Sequence, residues 1–385
     1  MREVIGMQKR LSLIECSAVL FFLCMDLGRC LGTSQLSVLN SLSTVLFFFA
    51  SVFLLLSYLK LGKIRLIGII FCTVLFFIAI LSYIYTSSLA LFKVLFFILI
   101  TRELTYKKAI SYNTKMLLIA AGIIVLSSFI GITSMHWTGT LDKISYRRVV
   151  YTFGFQNPNS PPMILFALIT GYNLLQDKLI KLKTVLVEFI ITVISFYLFE
   201  SRAALAVTTV YLLSIILLQR QKIFSSLKLF LWPFQYLFLI GTILTLYMAA
   251  NFYALSSNWQ ELNLLLSGRL FLWQSFIQNY GVQFFGNNMT LNTEALDNGF
   301  LYLLIYYGIS MLVIYNFMFI YISRYAYKAK KSVLFFTIIA YEVYCFGESM
   351  PLFINYSPVL LYFATLIMND KKIEEKVIDA NNGKV

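Results

Sequence analysis

The sequence has little charge and few of the residues that usually build soluble catalytic sites. Charged residues make up 12% of its 385 positions, whereas an average soluble domain carries about 25%. It has one histidine, and its five cysteines show no Cys-x-x-Cys spacing, which argues against a disulfide framework or a metal site. It has no Walker loop and no Asp-x-Asp pair, so we expect neither nucleotide use nor a cofactor. An ordinary soluble domain is excluded.

Hydrophobic residues account for 60% of the chain and recur in long runs. Each run of roughly 20 residues is long enough to cross a hydrocarbon core of about 30 Å. The sequence therefore predicts an all-α fold, that of a polytopic integral membrane protein with about 12 transmembrane helices. We place them at roughly 11–28, 36–59, 64–84, 86–101, 116–133, 160–176, 184–200, 203–218, 229–250, 299–322, 332–347 and 353–368.

The positive charge is concentrated in the connections at alternate ends of these runs. The formal net charge is +14, but its confinement to short loops argues for membrane topology and against a nucleic-acid partner. The positive-inside rule puts both termini of this multi-pass membrane protein in the cytosol. Lys93 falls inside a span, and the outer set contains only Arg29, Lys143, Arg147, Arg148, Arg202 and Arg269.

The predicted organisation is a single transmembrane domain over residues 1–370, followed by a disordered cytosolic tail at 371–385. The two longest connections, at about 134–159 and 251–298, both fall on the outer side. Long loops in a compact protein usually carry function. We therefore expect the functional residues to lie in these two loops.

The loop at 251–298 contains a predicted amphipathic helix. Ser267, with Gly268 and Arg269, predicts the start of this helix with Ser267 as the cap, and Gly281 predicts its end. Arg269 beside a helix N-terminus favours phosphate oxygens, because oriented N–H groups and a forked guanidinium both attract anions. The alternative is an interfacial arginine that reaches lipid headgroups. The apolar face is expected at Leu270, Trp273, Ile277 and Tyr280.

Carboxylates near the outer boundary are candidates for a general base. Asp297, followed by Asn298, precedes an apolar run, and its alternative role is a helix cap. Glu294 is the rival base. Glu348, at the outer end of the eleventh span, is a candidate for pairing with an arginine.

The loop at 134–159 holds an arginine pair, Arg147 and Arg148. We interpret the pair as ligand contacts, since Lys and Arg are otherwise avoided on the outer face. The turn Asn157-Pro158-Asn159 predicts a compact return into the next span, with Asn159 or Ser160 as cap and Pro161 at the first helical position.

Arg202 is another outer arginine, and it lies with Glu200 in a very short connection between two predicted spans. Glu200 and Arg202 either form a structural pair or a simple topological hairpin, or they contact the substrate. His136 beside Trp137 predicts an interfacial aromatic-belt pair. For the intramembrane Lys93 the possible partners are Glu15, Glu188 and Glu342.

Four short motifs carry a resemblance to a known family. They are Arg-Val-Val-Tyr-Thr-Phe-Gly-Phe-Gln-Asn-Pro-Asn (148–159), Ser-Arg-Ala (201–203), Ser-Gly-Arg (267–269) with Trp273 four residues on, and Asp-Asn-Gly-Phe-Leu-Tyr (297–302). With their order, the number of spans and the dominant outer loop, the chain resembles the Wzy-type polysaccharide polymerases and the related O-antigen ligases.

The resemblance implies a metal-independent glycosyltransferase that acts at the outer leaflet of the membrane. The donor would be a glycan on undecaprenyl diphosphate, and the acceptor a sugar hydroxyl of an incoming lipid-linked repeat unit. The product would be exopolysaccharide, capsule or O-antigen, with a chain-length regulator and a flippase as further partners. Ligases typically have histidine at the position of Asp297, so aspartate favours a polymerase.

The candidate residues then take specific roles. Asp297, Arg269 and Arg202 would be catalytic, and substrate binding would fall to Arg147, Arg148, Asn157, Asn159, Asn298, Glu294 and Glu348. The competing class is a transporter, namely a lipid-linked oligosaccharide flippase, which would place ionisable residues along a midplane path. An O-antigen ligase is the other alternative.

Overall fold

A computed structural model describes residues 2–35, 38–58, 65–140, 147–176, 179–253, 256–266, 268–288, 296–349 and 352–369. Most of these residues are helical. The first helices are α1 Arg2–Gly32, α2 Val38–Ser57, α3 Leu66–Thr86, α4 Ala90–Ile100, α5 Tyr106–Phe129, α6 Ser160–Leu174, α7 Leu182–Phe199 and α8 Arg202–Leu218. They are followed by α9 Gln221–Ser226, α10 Lys228–Leu231, α11 Leu237–Asn251, α12 Ser257–Leu265, α13 Arg269–Tyr280, α14 Gly299–Tyr302, α15 Gly308–Lys328, α16 Ser332–Tyr344 and α17 Pro358–Met368. Short 3₁₀ turns lie at Thr101–Glu103, Trp232–Tyr236 and Ile354–Tyr356, and a π-helical turn at Leu303–Tyr307.

Five helical stretches in the described residues are long and apolar enough to cross a membrane. Their large apolar side chains are widely exposed: Leu66 is 72% exposed, Tyr197 77% and Leu229 89%. Such surfaces need an apolar environment, since contiguous apolar patches are rare on soluble monomers. The chain is therefore a helical membrane protein. The five stretches are Leu66–Thr86, Tyr106–Phe129, Leu182–Phe199, Lys228–Asn251 and Gly299–Lys328.

The predicted spans agree in part with these helices. Five shorter apolar helices, among them α4 and α8, match further predicted spans in the described residues. The fifth predicted span, 116–133, is displaced, because α5 already begins at Tyr106 after the cap Thr105, whose side chain accepts a bond from the Lys108 N–H. The number of about 12 spans, their orientation and the single domain over 1–370 stay predictions. The tail predicted at 371–385 lies outside the described residues.

The loop at 134–159 contains two paired β-strands, which the sequence did not predict, within an otherwise helical chain. Strands β1 His136–Thr140 and β2 Arg147–Tyr151 pair antiparallel, with His136 opposite Tyr151. Their rings lie 4.6 Å apart, so the partner of His136 is Tyr151 across the hairpin. Threonine, valine and tyrosine favour such a pleated pair. Apolar runs and turn residues alone do not reveal these strands.

By its internal contacts the chain divides into two compact units. The first unit comprises Met1–Cys72, Leu95–Leu212 and Ile354–Val385, and the second comprises Thr73–Val94 and Leu213–Phe353.

In the first unit, α17 is buried along its whole length, as expected for a helix that is apolar on every side. A polar junction precedes it. The Asn355 side chain donates to Asp26 Oδ1 on α1 at 2.7 Å, and the backbone carbonyl of Asn355 accepts from Asn113 Nδ2 on α5 at 2.9 Å. Within the 3₁₀ turn at Thr101–Glu103, Arg102 is buried and its guanidinium lies 4.2 Å from the Tyr58 ring centroid. A desolvated cation–π contact of this kind is worth about 2 kcal/mol.

In the second unit, α11 packs against the segments that follow it. The Phe238 ring stacks on Phe319 at 4.4 Å and meets Phe300 edge-on at 4.9 Å. Gly241 permits this approach, because a Cβ at that position would lie 2.5 Å from the Phe300 ring. This packing fixes the start of α14, directly after Asp297 and Asn298.

Two of the three acids predicted as partners of Lys93 contact other residues. Glu15 pairs with Lys108, and Glu188 accepts a bond from Asn173 Nδ2 at 3.1 Å. Both belong to the first unit. Glu342, the third candidate, is fully buried on α16 in the second unit.

A candidate active site around Arg269

Arg269 is the first residue of α13, as the sequence predicts for the helix start. The residue before it, Gly268, adopts the left-handed conformation with φ 81° and caps the helix without a side-chain hydrogen bond. The predicted cap Ser267 lies outside the described residues. Gly281 ends the helix, with φ 65°, and its N–H donates to the Ile277 carbonyl at 2.9 Å.

The buried side of α13 anchors Arg269. Leu270, Trp273 and Phe276 are almost fully buried, while Phe271 is 60% exposed. These three recur at helical spacing, which fixes the rotation of the helix. The predicted apolar face is thus confirmed at Leu270 and Trp273, whereas Ile277 and Tyr280 are half-buried.

Asn298 holds the loop that carries Asp297. Its Oδ1 accepts the Leu301 N–H at 2.9 Å, which makes Asn298 the cap of α14, the role proposed as the alternative for Asp297. Its Nδ2 donates to the Phe346 carbonyl at 3.2 Å, and the Gly299 N–H donates to the Cys345 carbonyl at 2.7 Å. The Asn298 side chain is fully buried, so in this conformation it positions the loop and faces no accessible ligand.

These bonds bring the turn after α16 to the start of α14. Glu348 lies on that turn, and its carboxylate approaches Arg269 Nη2 to 3.6 Å. Asp297 approaches the same nitrogen to 3.8 Å. Both separations exceed a hydrogen-bond length, so the attraction is chiefly electrostatic. Arg269 thus stands between two carboxyl groups that come from separate parts of the chain.

The two carboxyl groups differ in exposure. The Glu348 side chain is 2% exposed, Asp297 is 29% exposed and Arg269 is 23% exposed. Burial raises the pKa of the Glu348 carboxyl well above its usual range, the nearby Asp297 charge raises this pKa further, and Arg269 lowers it in part. Burial also raises the pKa of Asp297, and Arg269 opposes that rise.

Glu348 is the more readily protonated of the two carboxyl groups, because burial and the like charge of Asp297 both raise its pKa. Asp297 is less buried and approaches the same Arg269 nitrogen, so it is the more readily ionised of the two. It is also the member of the pair that solvent or a substrate hydroxyl can reach, which suits a general base.

The remaining predicted site residues of the described chain belong to the first unit. Arg147 and Arg148 lie on β2 opposite Thr140 and Gly139. Arg202 is the first residue of α8 and is exposed. Before it, Glu200 closes α7 in the left-handed conformation, with φ 54°, and its N–H donates to the Phe196 carbonyl at 2.7 Å.

The Asn-Pro-Asn turn forms as predicted. The Asn157 side chain accepts the Asn159 N–H at 2.8 Å, and Asn159 occupies the cap position of α6 without a side-chain cap bond. Ser160 is therefore the first helical residue, and Pro161 follows it. Binding of substrate by Asn157 and Asn159 stays a prediction. Glu294, the rival base, lies outside the described residues.

Among the described residues, no group of three His, Cys, Asp or Glu side chains is placed to hold a metal ion.

Comparison of the chain with protein-family models, with curated proteins and with solved structures finds no match.

Proposed function

We propose that the protein polymerises lipid-linked polysaccharide repeat units at the outer leaflet of a bacterial plasma membrane. The observation that carries the proposal is the cluster of Arg269, Asp297 and Glu348, in which a partly exposed carboxylate is paired with an arginine beside a buried acid. Two of these residues belong to the motifs on which the family resemblance rests. The exposed apolar helices suit substrates that carry lipid tails.

In the proposed reaction Asp297 accepts the proton of the acceptor hydroxyl. The oxygen then attacks the anomeric carbon of the donor glycan, and the bond from that carbon to the diphosphate breaks. The diphosphate leaves with the electron pair and needs stabilisation of its negative charge. Arg269 supplies part of it, since only one of its nitrogens faces the two acids in the contacts described, and a forked guanidinium presents further donors. Roles of Arg147, Arg148 and Arg202 in substrate binding or catalysis stay predictions.

A flippase is the second candidate, and buried carboxyl groups favour it. Asp26 and Glu342 are fully buried in helices, and intramembrane acids often mark transport paths. Asp26 Oδ1 nonetheless accepts a bond from Asn355, which gives this acid a packing role. The polymerase accounts for the exposed acid–arginine pair, which a transport path does not need.

The test is reconstitution of the purified protein in liposomes with a lipid-diphosphate repeat unit, which accumulates in cells that lack the polymerase. We expect a ladder of glycans on gels, in EDTA as well as without it. Asp297→Asn protein serves as the control. Movement of the substrate across the bilayer without a ladder would replace the polymerase with the flippase.

A further inference from the structure

The helix that follows Asp297 contains a π-helical turn that groups three tyrosines. In an α-helix, residue i+4 lies over residue i but i+5 does not. The turn at Leu303–Tyr307 brings both positions over Tyr302. The Tyr306 ring stacks on Tyr302 at 4.5 Å, the Tyr307 ring meets it edge-on at 5.6 Å, and the hydroxyls of Tyr302 and Tyr307 lie 3.4 Å apart.

The surrounding backbone is built to hold this turn. Asn287 donates twice to the Ile305 carbonyl, from its backbone N–H at 3.1 Å and from Nδ2 at 2.9 Å. Gly308 then breaks the helix at φ 83°, and the N–H groups of Ile309 and Ser310 donate to the Gln283 and Phe284 carbonyls, both at 3.1 Å. π-turns are rare and occur often at functional sites. The hydrogen bonds from the loop at 283–287 offset the loss of regular helical hydrogen bonds. The loop therefore stabilises the π-turn and the tyrosine cluster that it forms.

The tyrosines follow the proposed base closely in sequence. Tyr302 is the last residue of α14, and the cap of this helix, Asn298, comes directly after Asp297. The Tyr302 ring also meets Phe353 edge-on at 5.9 Å, and Phe353 belongs to the same connection as Glu348. Tyr302, Tyr306 and Phe353 are partly exposed, whereas Tyr307 is buried and supports Tyr302 from below the surface. We name Tyr302, Tyr306, Tyr307 and Phe353 the aromatic platform.

We propose that the aromatic platform binds the glycan of the incoming acceptor, an inference that rests on the proposed function. A pyranose ring has an apolar C–H face and a rim of hydroxyls, and tyrosine offers a rigid apolar ring with a polar tip. A lipid tail would not use the tyrosine hydroxyls. The acceptor is favoured over the donor because the three tyrosines lie on the helical segment that begins directly after Asp297 and its neighbour Asn298. In the proposed reaction Asp297 takes the acceptor's proton, whereas Arg269 binds the diphosphate of the donor.

The experiment compares Tyr306→Ala and Tyr306→Phe with wild type. A matched control is Tyr321→Ala, because Tyr321 forms a ring pair with Phe317 at 5.8 Å on α15, away from the platform. The probe is the glycan released by mild acid from the extracted lipid-diphosphate repeat unit. Its binding to purified protein is measured by calorimetry, and the kinetics of chain extension are measured with the intact lipid-linked unit.

We expect Tyr306→Ala to weaken glycan binding and to raise the KM for the repeat unit about 3- to 10-fold, with kcat changed less. Tyr306→Phe keeps the stacked ring and should lose less, and Tyr321→Ala should match wild type. A purely structural role would lower kcat and protein yield and leave the KM unchanged.

Equal glycan binding by wild type and Tyr306→Ala protein overturns the platform, whatever the polymerisation assay gives. A different outcome is that the wild type binds the glycan but makes no ladder, while Tyr306→Ala protein does not bind the glycan. The platform then stands as a glycan site, and the polymerase is rejected. The two failures are thus distinguishable.

Discussion

Arg269 and Glu348 approach to 3.6 Å, although Glu348 is almost fully buried and Arg269 reaches the surface. Asp297 approaches the same guanidinium nitrogen to 3.8 Å. One cation therefore faces two acids of unequal exposure. We therefore expect a division of labour in which Glu348 is the more readily protonated acid and Asp297 the more readily ionised and accessible carboxylate.

This division predicts unequal effects of two near-isosteric substitutions. Asp297→Asn removes the proposed base and should lower the polymerisation rate by about 10²-fold or more. Glu348→Gln replaces a neutral acid with a neutral amide and should lower the rate by less than about tenfold. Glycan ladders from membranes with matched protein amounts give the rates. The opposite order, with Glu348→Gln the more damaging change, would make Glu348 the base.

Arg269→Lys separates phosphate recognition from simple charge. Lysine keeps the positive charge between the two carboxyl groups but loses the forked donors, so polymerisation should fall by about 10²-fold. The control is Arg324→Lys, because Arg324 is exposed near the end of α15. Arg29 is unsuitable as a control, since its guanidinium lies 5.8 Å from the Tyr356 ring centroid. Equal ladders from both variants would remove Arg269 from diphosphate binding.

The sequence predicts the local parts of the site better than the contacts between them. Gly281 as a helix end and the buried positions of Leu270 and Trp273 follow from spacing and backbone preference, which are properties of neighbouring residues. That Asn298, and not Asp297, caps α14 depends on a bond to Phe346, far along the chain. The proximity of Glu348 to Arg269 depends on the same contact. The sequence offered Glu348 as a candidate for pairing with an arginine, which the contact with Arg269 confirms, but it did not identify which arginine.

The β-hairpin and the π-turn were missed for related reasons. The strand residues of β1 and β2 lie beside long apolar runs that dominate the pattern, so alternation over a few residues carries little weight. The π-turn falls inside a span that reads as a continuous helix, and its cause is the loop that includes Asn287. A Gly at position 308 was the available signal, because glycine inside a span often marks a break.

Labelling of single cysteines tests the predicted orientation. Leu264 is 81% exposed on α12, within the loop predicted to face outward, and Ala329 is exposed in a connection predicted to be cytosolic. In a version without native cysteines, Leu264→Cys should react with an impermeant maleimide in intact cells. Ala329→Cys should react only after the membrane is opened. Reversal of the two patterns would place the Arg269 site on the cytosolic face and exclude outer-leaflet chemistry.

Gly308→Ala tests whether the break beside the aromatic platform is required. An alanine Cβ there would lie 2.4 Å from the Phe284 carbonyl oxygen, at a backbone φ of 83°. We expect a loss of about 1–3 kcal/mol of stability, seen as a lower melting temperature in detergent. Gly122→Ala is the control: Gly122 lies within α5, where an added Cβ meets nothing within 4 Å, and alanine should stabilise this helix by about 0.5–1 kcal/mol. Equal melting of the two variants would show that the break is dispensable.

The pH dependence of stability should report the buried acid. The pKa of Glu348 in the folded protein is raised, by burial first and by the Asp297 charge second, above the value of about 4.3 that glutamate has when unfolded. The folded state therefore binds the proton more tightly than the unfolded state, and the stability that this proton contributes is lost as pH rises through the folded pKa. Within that window one proton gives a slope of about 1.4 kcal/mol per pH unit, and the raised pKa of Asp297 acts in the same direction.

The side chain of the Glu348→Gln variant cannot ionise, so the melting temperature of this variant should fall less than that of wild type as pH rises above 5. Glu261→Gln, at an exposed position on α12, should keep the wild-type dependence. A Glu348→Gln profile parallel to that of wild type would mean that Glu348 is ionised throughout, and Asp297 would lose its distinction as the charged member of the pair.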